Sequence, residues 1–233
     1  MSSATSISRP LRAALIALAC LLAWDASGAD LALARWFGTP WGFPLRGQWF
    51  LVDVMHQGAR LASWVFVGFL LIGIRWPLGV LRRLGTAARV QLALTGLASV
   101  IVVSLLKQAS HTSCPWDLRA FGGVASYVSH WDWGVPDGGP GGYFPAGHAS
   151  SAFAGLGGYF VFRRASARVA RVWLVVVLLL GLALGIAQQI RGAHYMSHTL
   201  WTAWLCWMVA LIIDRVAAGR SRPCEVLTLP FSH

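Results

Sequence analysis

Hydropathy limits this chain more tightly than any other property. Long apolar runs with few or no charges span Ala13 to about Ala29, about Leu61 to Trp76, about Gln91 to Leu106, about Pro145 to Phe162, about Val172 to Ala187 and about Ser197 to Ile213. Crossing the hydrocarbon core of a bilayer takes roughly 20 apolar residues as a helix. In lipid the backbone can satisfy its own polar groups only as a helix or a closed barrel. Continuous runs of this length, without strict alternation, predict helices. The expected fold class is therefore all-α: a polytopic membrane protein, six transmembrane helices in a bundle, forming one domain over residues 1–233. Composition agrees, with 57% hydrophobic and 12% charged residues and a mean hydropathy of +0.61. Thirteen Trp suit membrane–water interfaces.

The net charge of +11 does not point to nucleic acid. The basic residues mostly flank the apolar runs, where an anionic inner leaflet retains them. Arginines concentrate in the N-terminus, in 77–90, in 163–171 and in a tail over 214–233, and the positive-inside rule makes these cytoplasmic. Segments 30–60, 107–144 and 188–196 are nearly balanced in charge and would face outward, toward the periplasm of a bacterial inner membrane. The first run has two readings. Ala26-Ser-Gly-Ala-Asp30 resembles a signal-peptide cleavage site, whereas an uncleaved first span gives the even helix number that matches the charges. The second is adopted here. The four Cys form no C-x-x-C pair, so a disulfide framework is not expected.

Two polar islands interrupt this pattern, Tyr143-Phe-Pro-Ala-Gly-His-Ala-Ser150 and Arg191-Gly-Ala-His-Tyr-Met-Ser-His198. Pro145 is placed like the first residue of a helix. Gly147 lets a ligand approach the backbone, and a helix starting there offers free N–H groups to an anion. His148 sits at that end. His194 and His198 are one helical turn apart and can share a face. Taken singly these residues have plain readings: Lys107 as an anchor at a helix end, His148 as an interfacial histidine. The His194/His198 spacing also suits a metal, with His148 as a third ligand, although no H-E-x-x-H is present. The loop over 107–144 is long for a tight bundle and rich in Gly and aromatic residues. It reads as a flap over the site or as a plain connector.

Order and spacing together carry more. Lys107-x6-Cys114-Pro115, then Pro145-Ala146-Gly147-His148, then His194-x3-His198 resemble the three motifs of the type 2 phosphatidic acid phosphatase superfamily, K-x6-R-P, P-S-G-H and S-R-x5-H-x3-D. The resemblance implies a nucleophilic His194 that takes the phosphoryl group as phosphohistidine, and His148 as general acid. It implies Lys107 as a phosphate-binding cation and Gly147 as a backbone donor to phosphate, with neither metal nor cofactor. This chemistry is sound on its own terms, because a neutral imidazole is a good nucleophile near pH 7 and fixed cations stabilise the equatorial oxygens. The departures are Cys114 for the first-motif Arg, Ala146 for Ser, Ala187-Gln188 for Ser-Arg, and His198 for Asp. Arg191 and Arg119 are candidates to replace the lost guanidinium groups. Neutral His198 would accept the Nδ1 proton of His194, with Asp117 or Asp132 restoring the missing charge. A shifted register would instead make Arg191 and His198 the motif Arg and nucleophile, with Thr202 in the last position.

The implied activity is metal-independent hydrolysis of a lipid phosphate or lipid pyrophosphate at the outer membrane surface. Phosphoryl transfer to a second lipid such as lipid A is a close variant. The rivals are a non-enzymatic lipid-binding or transport protein and a zinc hydrolase. The expected partners are the bilayer and the lipid phosphate substrate, with no nucleic acid and no obligatory protein partner.

Overall fold

Thr86 to Ala109 forms one unbroken helix, longer at both ends than the apolar run that predicts it. The polar residues at its ends still gain backbone hydrogen bonds, so helix propagation outruns hydropathy. The structure is a computed structural model that describes residues 7–220. Its helices are α1 (Arg9–Ala26), α2 (Ala29–Ala34), α3 (Ala59–Arg75), α4 (Thr86–Ala109), α5 (Gly147–Phe153), α6 (Gly157–Phe162), α7 (Ala167–Ile190) and α8 (Met196–Arg220). The fold is an all-α membrane bundle. Among the described residues four stretches are long and apolar enough to cross a membrane: Phe50–Arg83, Thr86–Ala109, Ala167–Ile190 and Met196–Gly219.

The second span, whose start the sequence allows before Leu61, does begin earlier: a π-helical stretch, Phe50–Gly58, runs directly into α3. Two boundaries differ from expectation. Pro145 precedes its helix rather than opening it: Ala146 is the N-cap and Gly147 the first helical residue. The helix α8 continues through residues 214–220, which hydropathy alone gave to the tail; residues 221–233 lie outside the described residues.

The fourth apolar run is not one regular helix. A 3-10 turn, Ala154–Leu156, separates α5 from α6. Trp173 on α7 explains the break, because its indole N–H donates to the Gly155 carbonyl at 2.7 Å. That carbonyl thus has a partner outside its own helix. The broken helix is enclosed by α4, α7 and α8. Phe153 and Phe160 are fully buried there. Gly185 on α7 permits close approach to α8, since a Cβ at that position would collide with the Thr199 side chain.

The helix α1 lies against α8, where the indoles of Trp204 and Trp207 donate to the carbonyls of Ala14 and Pro10 at 3.0 and 3.2 Å. Two carboxylates secure its far end. Asp25 accepts from the indoles of Trp131 and Trp201 and from the His130 ring. Asp30 accepts from the Trp24 indole and from the backbone N–H and hydroxyl of Ser197. Asp30 thereby holds the first turn of α8, between His194 and His198 of the second island.

At the opposite end Asp214 gathers three elements. Arg163 and Arg164 donate to its two oxygens at 2.7 and 2.5 Å, and Gln91 approaches at 3.3 Å. Asp214 is 1% exposed, but the Arg163 and Arg164 side chains are 34% and 44% exposed, so water screens part of the loss when it is removed. Asp214→Ala is expected to cost about 1–2 kcal/mol. Thermal unfolding in detergent would show this as a lower midpoint with the helical signal at low temperature retained.

The segment between α4 and α5 is a packed cap. Leu118, Phe121 and Ala125 form a buried cluster with Ala34, Phe43 and Tyr195. Asp137 fixes its middle by accepting from Ser113 N and Oγ and from Gly139 N at 2.6 to 2.9 Å.

Candidate active site

All three motif segments meet at one end of the bundle, under that cap. The Trp116 N–H donates to the Gly192 carbonyl at 3.0 Å, which ties the first segment to the third. Ala146 N donates to the His198 carbonyl at 3.2 Å, and the Thr202 hydroxyl returns a bond to the Ala146 carbonyl at 3.1 Å, which ties the second to the third. Thr202 is thus occupied in structure, not placed as an acid. Gly192 makes the turn into the third segment at φ +76, and a Cβ there would overlap the Phe43 ring. Only glycine fits both demands.

His194 is 3% exposed. Burial, then His198 and Lys107, push its pKa well below the ordinary imidazole value. Its ring is therefore neutral, with a lone pair to offer. His194 Nδ1 lies 3.5 Å from His198 Nδ1. His198 Nδ1 is also 3.0 Å from the Tyr143 carbonyl oxygen. A carbonyl only accepts, so His198 Nδ1 must carry its proton. It then has no lone pair for His194, and the expectation that His198 accepts the His194 Nδ1 proton fails on this geometry. Among the groups around His194, the Tyr143 backbone alone acts to raise its pKa, against burial and the neighbouring His198, Lys107 and His148.

The loop carboxylates do not restore the missing charge. Asp117 accepts from the Cys114 thiol at 2.7 Å, and Asp132 is exposed. The imidazole that does reach His198 from the loop is His130, edge-on with centroids 5.8 Å apart. His130 donates to Asp25 at 3.2 Å. Burial lowers its pKa more than Asp25 raises it, so this is a neutral N–H donor rather than an ion pair.

Lys107, Gly147 and His148 line one cavity. The Gly147 backbone lies beside the Lys107 stem, where even a Cβ would make only an ordinary contact at 3.6 Å. The Lys107 ammonium is 5.1 Å from the centre of the Tyr143 ring. Burial, with Cys114 and Asp117 nearby, pushes the Tyr143 phenol up to about 12. Burial and Asp117 likewise raise the Cys114 thiol, which stays protonated. Cys114 is buried and is neither a clamp nor a nucleophile.

Arg191 is buried and joins the site; Arg119 does not. Gln188, at the third-motif Arg position, accepts from Arg191 Nη1 at 3.2 Å, and Arg191 Nε donates to the Arg46 carbonyl at 3.1 Å. The residue that replaces one arginine thus orients another. Arg46 stacks on Trp116 at 4.0 Å and Arg191 faces the same indole at 5.9 Å. Arg119 is exposed, with its guanidinium on the Val124 carbonyl at 3.1 Å. It shows no contact with His148, His194 or Lys107.

Sequence reasoning missed His56, Arg60 and Arg46. His56 and Arg60 carry the same i, i+4 spacing as His194 and His198. That was the available signal, but at the edge of an apolar run it reads as membrane anchoring. Among the described residues no group of three His, Cys, Asp or Glu side chains is close enough to hold a metal ion.

No match to the chain was found among curated proteins or among solved structures. The family model described as the PAP2 superfamily matches residues 88–222, which include all three motif segments. More than half of the chain lies in that match, and on it the chain belongs to the PAP2, or type 2 phosphatidic acid phosphatase, superfamily.

Proposed function

We propose that this protein is a metal-independent phosphatase of lipid phosphates or lipid pyrophosphates. It would work through a phosphohistidine on His194, at the outer face of a bacterial inner membrane. Family membership supports phosphatase chemistry. The observation that carries the lipid reading is one cavity of about 250 Å³ between α3 and α4. Its polar end holds Arg60, Lys107, Gly147 and His148. Along the two helices it continues past Val67, Leu70, Leu97 and Val100. A phosphate head at the cations and an apolar tail between the spans fit that division.

In this reading the bound phosphate anion favours the imidazolium form of His148. The neutral His194 Nε2 then attacks phosphorus while the leaving oxygen takes the imidazolium proton, leaving His148 neutral. Lys107, Arg191 and the Gly147 backbone offset charge on the equatorial oxygens. Water then cleaves the phosphohistidine, with His148 as base. Phosphoryl capture by a lipid alcohol would need only the replacement of that water. Six spans with both termini cytoplasmic would place the histidine end outside. On this reading α1 and the broken α5–α6 pair would cross as well, beside the four long apolar helices.

Phosphate release from a panel of detergent-solubilised lipid phosphates and pyrophosphates tests this reading. Activity should persist in strong chelator, because fixed cations already supply the positive field. Stoichiometric zinc lost together with activity would favour the hydrolytic metal site instead. No release from any lipid phosphate would favour lipid binding or transport.

A further inference from the structure

The span that precedes the matched region brings its own polar pair to the site. The family match begins at residue 88, whereas His56 and Arg60 lie at the junction of the π-helical stretch with α3. Inserted π turns are frequent at functional sites because they re-aim a side chain without ending the helix. The ring of His56 stacks on that of His148, with centroids 3.7 Å apart and planes 24° from parallel. His56 Nδ1 is closed to solvent and makes no hydrogen bond of normal geometry among the described residues, although the Gln188 side chain lies near its ring. Arg60 lines the cavity with Lys107, Gly147 and His148. Among the described residues its guanidinium has no carboxylate or carbonyl partner.

This is an unbalanced arrangement. A guanidinium, an ammonium and the His148 imidazole face one cavity, with His56 stacked on His148 behind it, and no acidic side chain lines it. At the edge of a membrane such a cluster raises the free energy of the empty site and favours an anion that fills it. The first-motif position that would provide a guanidinium holds Cys114, whose thiol is spent on Asp117. Arg60 offers one from the opposite wall.

On the phosphatase reading above, we propose that Arg60 and His56 are phosphate-binding residues of this chain. Arg60 takes two phosphate oxygens with its planar fork, which replaces the arginine missing at Cys114. His56 donates from Nδ1 to the same phosphate and holds the ring of His148 beside the leaving oxygen. The clamp therefore has two walls. Lys107 and Gly147 come from the matched region, and Arg60 and His56 from the span before it.

Orthovanadate is a suitable probe, because its binding can be read by thermal stabilisation without turnover. The variants are Arg60→Ala, Arg60→Lys and His56→Phe, the last keeping the ring stack while removing the donor. Purified full-length protein should show vanadate dissociation constants weakened ~10–100-fold in Arg60→Ala and His56→Phe, the loss typical of a charge-assisted hydrogen bond. KM for a lipid phosphate should rise in parallel, and Arg60→Lys should recover part of both. Melting midpoints without vanadate should match the wild type, which separates binding from folding. Wild-type vanadate affinity and KM in both Arg60→Ala and His56→Phe would overturn the proposal. If the wild type neither releases phosphate nor binds vanadate, the phosphatase reading itself is what fails.

Discussion

His194→Ala is expected to show no phosphate release above background and to form no phosphoenzyme. The expectation rests on where the lone pair can be. His194 is buried, and its pKa is held low by burial and by His198 and Lys107. Those conditions leave a neutral nucleophilic Nε2 beside Lys107 and His148. The other nucleophilic types at the site, a thiol and a phenol, cannot take over. Cys114 is buried with a raised pKa, and the phenol of Tyr143 is pushed up to about 12. Small-molecule imidazole added to His194→Ala should restore slow turnover if the cavity admits it. Phosphate release by unrescued His194→Ala at more than a few per cent of wild type would show that the nucleophile is elsewhere.

His198→Ala is expected to keep a residual rate, slower by ~10²–10⁴-fold, since it leaves the nucleophile in place but loosely held. Here the geometry makes a finer distinction. His198 donates from Nδ1 to the Tyr143 carbonyl at 3.0 Å and so fixes the group that orients His194. His198→Asn can present an amide N–H near the same point, and should recover more of the rate than His198→Ala does. Steady-state kcat with a lipid phosphate decides the order. Equal rates in the two variants would mean that His198 acts through bulk alone. A dead His198→Ala beside a labelled His194→Ala would establish the shifted register.

Much of this was legible before any coordinates. Apolar runs marked every long helix because lipid permits few alternatives, and the positions of Lys107, His148, His194 and His198 followed from motif spacing. What stayed hidden has physical causes. Hydropathy cannot see a helix broken by a tertiary bond, so the Trp173 indole that takes the Gly155 carbonyl was invisible. It cannot see that Pro145 lies outside its helix either, because both placements satisfy the missing N–H. The roles of Asp25 and Asp30 depend on the contact of α1 with α8, more than 160 residues apart in sequence. His198 was expected to accept a proton. Its partner proved to be a backbone carbonyl, and backbone groups carry no sequence signal. Arg119 looked as good as Arg191 by position alone, and only the fold shows one exposed and one buried.

Rapid-quench labelling reads phosphoryl transfer through His194 itself. Wild-type protein in detergent would be mixed with a lipid phosphate carrying radiolabelled phosphate, then quenched in alkali, digested and mapped. The account predicts a transient label that survives alkali, is lost in acid, and maps to the peptide region of His194, with none in His194→Ala. Label on His198, or full turnover without any covalent label, would contradict it.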